Sequence, residues 1–255
     1  MSKIYEPQGK AREYSPLALN IYKGCTHGCK YCYVPDMFRR FRPGYRHEEC
    51  EPCLNVKELE RSCAKWKDSG KRVLLSFTGD PYCGIAPETT TKALTILRDN
   101  GIPTAVLSKG GTRMLNDLEL FKTFAEIRLG VSLIFYNDND SLEWEPGAAL
   151  PSERIATLRE LKRNGLTTWA SFEPVIDPAQ SIRMLVEASP YLDYVKIGKL
   201  NHHREIESRI DWTKFLWSVV EICERENLPY YIKNDLAAAA PSIRVRESAR
   251  IADNF

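Results

Sequence analysis

The chain has 255 residues, 43% hydrophobic and 27% charged, with a formal net charge of +2, so it can bury a full core as one domain. No stretch approaches the roughly 18 apolar residues of a membrane span, and the polar start MSKIYEPQGKAREY lacks an apolar run behind a basic segment. A soluble, cytoplasmic protein with no membrane partner is expected; in that reducing setting eight cysteines point to metal or redox chemistry rather than a disulfide framework.

In chain order, short apolar β-rich runs alternate with segments of helical period, the pattern of successive βα units around a parallel sheet. Strands are expected at 17–22 (LALNIY), 73–77 (VLLSF), 103–108 (PTAVLS), 127–134 (IRLGVSLI), 166–172 (LTTWASF) and 192–197 (LDYVKI). Several are apolar almost throughout, which suits strands covered on both faces. Helices are expected at 56–69, 87–100, 113–124, 152–164, 178–188 and 212–226. Asn100-Gly101 and Asn164-Gly165 are stop signals, and Pro87 and Pro178 fit a first helical position. Residues 137–147 (NDNDSLEWEPG) read as a loop, and 228–233 (LPYYIK) as an added strand or a cover for the barrel's open side. A C-terminal tail at 234–255 follows the core, and within it 241–255 (PSIRVRESARIADNF) reads as a surface segment.

Six βα units make the expected fold an α/β, partial (β/α)6 TIM-like barrel, a single domain over 1–255 with its core at about 14–233. In such a barrel, functional groups gather at the C-terminal ends of the strands. Those ends carry Thr78, Gly79, Asp80, Pro81 and Tyr82; then Ser108, Lys109, Gly110 and Gly111; then Ser132; then Glu173 and Pro174; then Lys196 and Lys199.

After the first strand comes NIYKGCTHGCKYCYVP, with Cys25, Cys29 and Cys32 spaced C-x3-C-x2-C. A structural zinc site takes four protein ligands, whereas an iron–sulfur cubane is held by thiolates and can leave one iron for an external ligand. Three cysteines suit the second case, and Gly24 and Gly28 would let one loop approach a cluster closely. The alternatives are a zinc site completed by His27 or by one of Cys50, Cys53 and Cys63, and three merely buried thiols.

Cys50, Cys53 and Cys63 form a second, looser group preceded by His47 (HEECEPCLNVKELERSC), readable as an auxiliary cluster, a zinc clip, a redox pair or unrelated thiols. FRRFRPGYRH, residues 38–47, interleaves Phe38, Phe41 and Tyr45 with Arg39, Arg40, Arg42 and Arg46. That combination suits phosphate contacts with base stacking; a solvated charged helix face is the alternative. Glu173, at a strand end, reads as a cofactor or substrate contact, and His202-His203 as a polar loop.

The C-x3-C-x2-C with an aromatic before its third cysteine, placed after the first strand of a βα series, resembles the radical S-adenosylmethionine superfamily. GCTHGCKYCY together with TGDPY, LSKGG and VS is similar to the spore photoproduct lyase-like group of that superfamily, over roughly residues 14–201. The resemblance implies a [4Fe-4S] cluster on Cys25, Cys29 and Cys32, whose open iron chelates S-adenosyl-L-methionine. Reductive cleavage would give a 5′-deoxyadenosyl radical that takes hydrogen from a substrate. It further implies that Tyr31 packs near the adenine, that Thr78, Gly79 and Asp80 receive the methionyl ammonium, that Lys109 meets the carboxylate, and that Ser132 meets ribose or carboxylate. Tyr33 matches a tyrosine that relays a hydrogen atom, and a flavodoxin- or ferredoxin-like donor would supply the electron. The sequence departs from the lyase where that enzyme carries a radical-quenching cysteine at the end of the second strand: Phe77 precedes Thr78, and the nearest thiol is Cys83. Membership of the wider group is therefore expected without thymine-dimer repair as its reaction. A nucleic-acid substrate is favoured over a peptide or protein partner matured by the same chemistry, and both over a zinc-stabilised nucleic-acid-binding module.

Overall fold

The computed structural model describes residues 3–201 and 203–250. Among them, one parallel sheet runs in the order β1 (Leu17–Leu19), β4 (Val73–Leu75), β5 (Thr104–Ser108), β6 (Ile127–Ser132), β7 (Thr167–Phe172), β8 (Tyr194–Ile197) and β9 (Tyr230–Ile232). A separate antiparallel pair joins β2 (Tyr22–Lys23) to β3 (Glu51–Pro52). The expected partial barrel is therefore present, and 228–233 supplies its extra strand. The first expected strand is shorter than its apolar run: Leu17–Leu19 stay in the barrel sheet, while Tyr22 leaves it to pair with Pro52.

Helices α2 (Val56–Trp66), α3 (Glu88–Asp99), α6 (Pro151–Arg163), α7 (Pro178–Ala188) and α9 (Trp212–Arg225) fall where the periodicity puts them. Three of them start at side-chain caps: Asn55 accepts from the Glu58 amide before α2, Asp177 from Ala179 and Gln180 before α7, and Asp211 from Lys214 before α9. Gly101 and Gly165 take the left-handed conformation that ends α3 and α6. The segment expected as one helix at 113–124 is instead a 3-10 stretch, Gly111–Asp117, followed by one turn, α4 (Leu118–Phe121).

Four helices lie outside the expected set: α1 (Val34–Arg39), α5 (Asp138–Trp144), α8 (Arg204–Glu207) and α10 (Asn234–Ala239). Helix α5 corrects the reading of 137–147 as a loop. Asn137 caps it by accepting from the Asn139 and Asp140 amides, and Asp138 and Asp140 face the helix's positive end. Residues 234–240, expected outside the core, belong to it, for Leu236, Ala237 and Ala240 are buried in the same apolar cluster as α7 and α9, and within the expected surface segment Ala249 is buried there too. No helix among the described residues is long and apolar enough to cross a membrane.

Strand alternation divides the core. Val73 and Leu75 face the helices, while Leu74 points inward with Ala105, Trp169 and Tyr194. Trp169 and Tyr194 stack with ring centroids 5.5 Å apart, and Trp169 covers Gly130, where an added Cβ would lie 2.3 Å from the indole. This aromatic layer plugs the barrel and forms a floor. The segment before β1 crosses the open side of the sheet. Lys196 Nζ donates to the Glu13 and Tyr14 carbonyls at 2.9 and 3.0 Å, and the Glu13 carboxylate accepts from Tyr231 Oη and the Asn234 amide. Lys196 is thus a buried latch between the N-terminal segment and β8 rather than a cavity group.

Candidate active site

Above the aromatic floor, at the C-terminal ends of the strands, lies a cavity of about 570 Å³. Cys25, Cys29, Cys32, Tyr31, Tyr33, Thr78, Gly79, Asp80, Lys109, Ser132 and Glu173 all line it. The volume falls within the usual range for a small-molecule site.

Three clamps hold the cysteine loop. On one side the Cys25 amide donates to the His47 carbonyl at 2.7 Å, and Gly24, with φ +83°, lies so close that an added Cβ would come within 2.5 Å of the same oxygen. On a second side Thr26 Oγ1 donates to the Cys83 carbonyl. On the third, the end of α5 meets the loop: the Lys30 amide donates to the Trp144 carbonyl and the Gly147 amide to the His27 carbonyl, each at 2.9 Å. Burial, reinforced by the Asp80 charge, pushes the Cys25 thiol up to about 12, and burial pushes Cys29 up to about 12 as well. Both are therefore thiols in the metal-free chain, and binding iron must displace their protons.

Tyr31 is held from behind. Its hydroxyl donates to Glu145, which pairs at 2.6 Å with Arg154; both ionic side chains are almost wholly buried. Arg154 also donates to the Ala149 and Ser132 carbonyls at 2.9 and 3.0 Å, so one guanidinium fixes Glu145 and the end of β6 together. Lys109 Nζ stands 5.6 Å from the centre of the Tyr31 ring and makes no hydrogen bond or ion pair among the described residues. It is a cation facing the cavity.

The strand-end turn after β4 is braced from within. The Asp80 carboxylate accepts from Ser108 Oγ at 2.6 Å, the Lys109 amide at 2.7 Å and the Tyr82 amide at 2.8 Å. Asn20 Oδ1 accepts from the Phe77 and Thr78 amides, and Ser76 Oγ donates to the Gly79 carbonyl. Asp80 thus spends its oxygens on its own turn and on the end of β5, and reaches the cavity as a partly covered negative charge. His27, 3.5 Å from Asp80, is held below its ordinary value chiefly by burial.

Across the cavity, Glu173 accepts both of its bonds from Lys233, at 2.9 and 2.7 Å, and a further one from Tyr14 Oη at 2.5 Å. Tyr33 stands at the rim, 47% exposed, its hydroxyl donating to the Phe77 carbonyl at 3.0 Å. Lys199 lines the wall but pairs with Glu207 at 2.6 Å.

The second cysteine group does not assemble. Cys63 is fully buried in α2, Cys53 Sγ turns to the Asn20 carbonyl, and Cys50 Sγ faces Cys83 Sγ at 3.5 Å. Among the described residues, no three His, Cys, Asp or Glu side chains gather tightly enough to hold a single metal ion, so Cys50, Cys53 and Cys63 share no zinc site. Of the histidine pair, His202 lies outside the described residues; His203 packs edge-on to Trp144 at 6.4 Å. The arginine-rich run splits: Tyr45 is buried against Phe38, with ring centroids 4.8 Å apart, while Phe41 is 80% exposed.

Sequence reasoning missed Asn20, Glu145, Arg154, Tyr14 and Lys233. Asn20 stands inside the quoted motif, and the Asn-Asp-Asn-Asp start of α5 is a legible helix signal that would have brought Glu145 close. The Tyr14–Glu173–Lys233 contact spans the barrel and leaves no local trace.

Three known proteins are similar to this chain in sequence or fold. An uncharacterized protein of Methanocaldococcus jannaschii, MJ0683, is 26% identical over 185 residues, 72% of this chain and 70% of that one. The structure of spore photoproduct lyase complexed with dinucleoside spore photoproduct superposes with a TM-score of 0.68 at 14% identity, covering 92% of this chain and 79% of the lyase. Streptococcus suis SuiB bound to S-adenosylmethionine superposes at 0.67 with 15% identity, covering 90% of this chain but only 53% of SuiB. Both likenesses are of fold. Residues 19–188 match the Radical SAM superfamily, and the chain belongs to it.

Proposed function

We propose that this chain binds S-adenosyl-L-methionine beside an iron–sulfur cluster on Cys25, Cys29 and Cys32 and takes a hydrogen atom from a nucleic-acid substrate at the cavity mouth. The observation that carries this reading is the convergence of three thiols, a free cation and an aromatic face on one cavity at the strand ends. The donor set fits a cubane: three cysteines leave a fourth corner open, and the remaining thiols are committed elsewhere. When bound, the cluster and S-adenosylmethionine supply the electron and the 5′-deoxyadenosyl radical.

The chain's own residues supply position and dryness. Tyr31, fixed by Glu145, offers its face to the adenine. The turn at Thr78, Gly79 and Asp80 offers carbonyls and a partly covered negative charge to an ammonium. Lys109 offers an unpaired cation to a carboxylate, and Ser132 a hydroxyl to ribose or carboxylate. Glu173 is neutralised by Lys233 and serves the far wall as a hydrogen-bond acceptor. Tyr33, at the rim, is positioned to relay a hydrogen atom. A flavodoxin- or ferredoxin-like protein is the proposed donor.

Nucleic acid is favoured because Arg40, Phe41 and Arg42 extend exposed from α1, whose Val34 and Met37 line the cavity. Neither Arg40 nor Arg42 forms an ion pair among the described residues, so both are available to phosphates beside a stacking ring. Photoproduct repair is not proposed. Phe77 stands on the cavity wall, and the cysteines that line it among the described residues are the three of the cluster motif.

The test is anaerobic reconstitution followed by reduction in the presence of S-adenosylmethionine. Wild type should hold about four irons per chain and form 5′-deoxyadenosine. Cys29→Ala should lose both iron and product. Undiminished product in that variant would overturn the assignment, and a yield raised by peptide but not by DNA or RNA would overturn the substrate class.

A further inference from the structure

Cys50 and Cys83 meet across 33 residues of sequence with their sulfurs 3.5 Å apart. Neither belongs to the cluster motif or lines the cavity. Each sits in one of the backbone walls that hold the cysteine loop. The Cys50 wall supplies the His47 carbonyl to the Cys25 amide, and Gly24 fits so tightly against it that an added Cβ would lie 3.1 Å from Cys50 Cα. The Cys83 wall supplies its own carbonyl to Thr26 Oγ1. Residues 24–26 therefore lie between the two walls, and the two thiols touch where the walls meet.

From this juxtaposition we propose that Cys50 and Cys83 form a modification site, a dithiol that a small-molecule disulfide converts to a disulfide clasp across the cluster loop. A disulfide needs a sulfur separation of about 2.04 Å, so the two sulfurs must close by about 1.5 Å. Cys50 is partly exposed and Cys83 is 3% exposed, which sets the order of events. Cys50, the accessible thiol, gives up its proton to solvent or to Cys83 as its sulfur attacks one sulfur of the small disulfide, expelling one thiol and leaving a mixed disulfide. The Cys83 thiolate then attacks the Cys50 sulfur and expels the second thiol. Two protein thiols are oxidised, one small disulfide is reduced to two thiols, and the two protons leave with them. A mixed disulfide on Cys50 is short-lived because its resolving thiol is already in contact.

The partner is Cys83 rather than the sequence neighbour Cys53. Although Cys50-x-x-Cys53 has the spacing of a redox motif, Cys53 Sγ turns to the Asn20 carbonyl at 3.8 Å, while Cys50 Sγ faces Cys83 Sγ.

The experiment exposes anaerobically purified protein to oxidised glutathione, alkylates the remaining thiols, digests with trypsin and weighs the peptides. The expected product is residues 47–57 joined to residues 73–92, two hydrogens lighter than the sum of the reduced peptides, with one alkyl group on Cys53. The cross-link should survive in Cys53→Ser and be lost in Cys50→Ser and in Cys83→Ser. Full alkylation of Cys50 and Cys83 after exposure would overturn the proposal, as would a persistent glutathione adduct on Cys50 or a cross-link that survives Cys50→Ser. Cys50→Ala/Cys83→Ala should bind wild-type iron, which separates the clasp from the cluster; loss of iron in that variant would overturn it by making these thiols cluster ligands.

Discussion

The Tyr31 hydroxyl donates to the Glu145 carboxylate across 114 residues, joining the cysteine loop to the end of α5. Behind it stands the buried Glu145–Arg154 pair, and this stack fixes the face that Tyr31 turns to the cavity. The proposed cofactor contact thus depends on an ion pair that never reaches the cavity.

Arg154→Met should be costly. It leaves the Glu145 charge buried with the Tyr31 hydroxyl as its remaining strong partner, and breaking a buried pair from one side costs about 3–5 kcal/mol. Urea unfolding should show that loss, and Glu145→Gln/Arg154→Met should recover part of it.

The same pair sets a pH dependence. Burial alone would raise Glu145, but Arg154, then Lys109, and the Tyr31 hydrogen bond outweigh it and hold the carboxyl below its ordinary 4.5. A depressed carboxyl contributes stability that is fully present above 4.5 and is lost as pH falls through the lower folded value. The gap in unfolding free energy between wild type and Glu145→Gln should hold steady from neutral pH down to about 4.5 and narrow only in stronger acid. A gap that narrows near neutrality would contradict it.

Asp80→Ala should act through the turn. It removes the acceptor of Ser108 Oγ, the Lys109 amide and the Tyr82 amide, and the first unsatisfied donor alone costs about 1–3 kcal/mol. Asp80→Asn keeps one oxygen and should lose less stability, while both variants bind S-adenosylmethionine more weakly than wild type. Calorimetric titration alongside thermal unfolding would separate the two effects.

Arg40→Ala/Arg42→Ala should weaken single-stranded nucleic-acid binding at low salt and flatten its salt dependence. Each lost phosphate contact removes about 0.7 from the slope of log affinity against log salt, so the pair should remove about 1.4. Deoxyadenosine formation without substrate should stay unchanged, because neither arginine lines the cavity. An unaltered slope would place the nucleic acid elsewhere or exclude it.

By itself the sequence determined the parallel βα order, six of the seven strand positions and the thiol loop after the first of them, because each rests on local signals: apolar runs, Asn-Gly stops and cysteine spacing. It also carried the strand-end residues at Thr78, Lys109, Ser132 and Glu173, since a barrel of known order sends every strand end to one face. Tertiary structure decided what those residues lean on. Asp80 ties its turn to the end of β5, Tyr31 is braced by Glu145 and Arg154, Glu173 is neutralised by Lys233, and Cys50 leaves Cys53 for Cys83. None of these pairings has a local pattern, because barrel closure and the path of residues 34–55 across the loop bring together groups far apart in the chain.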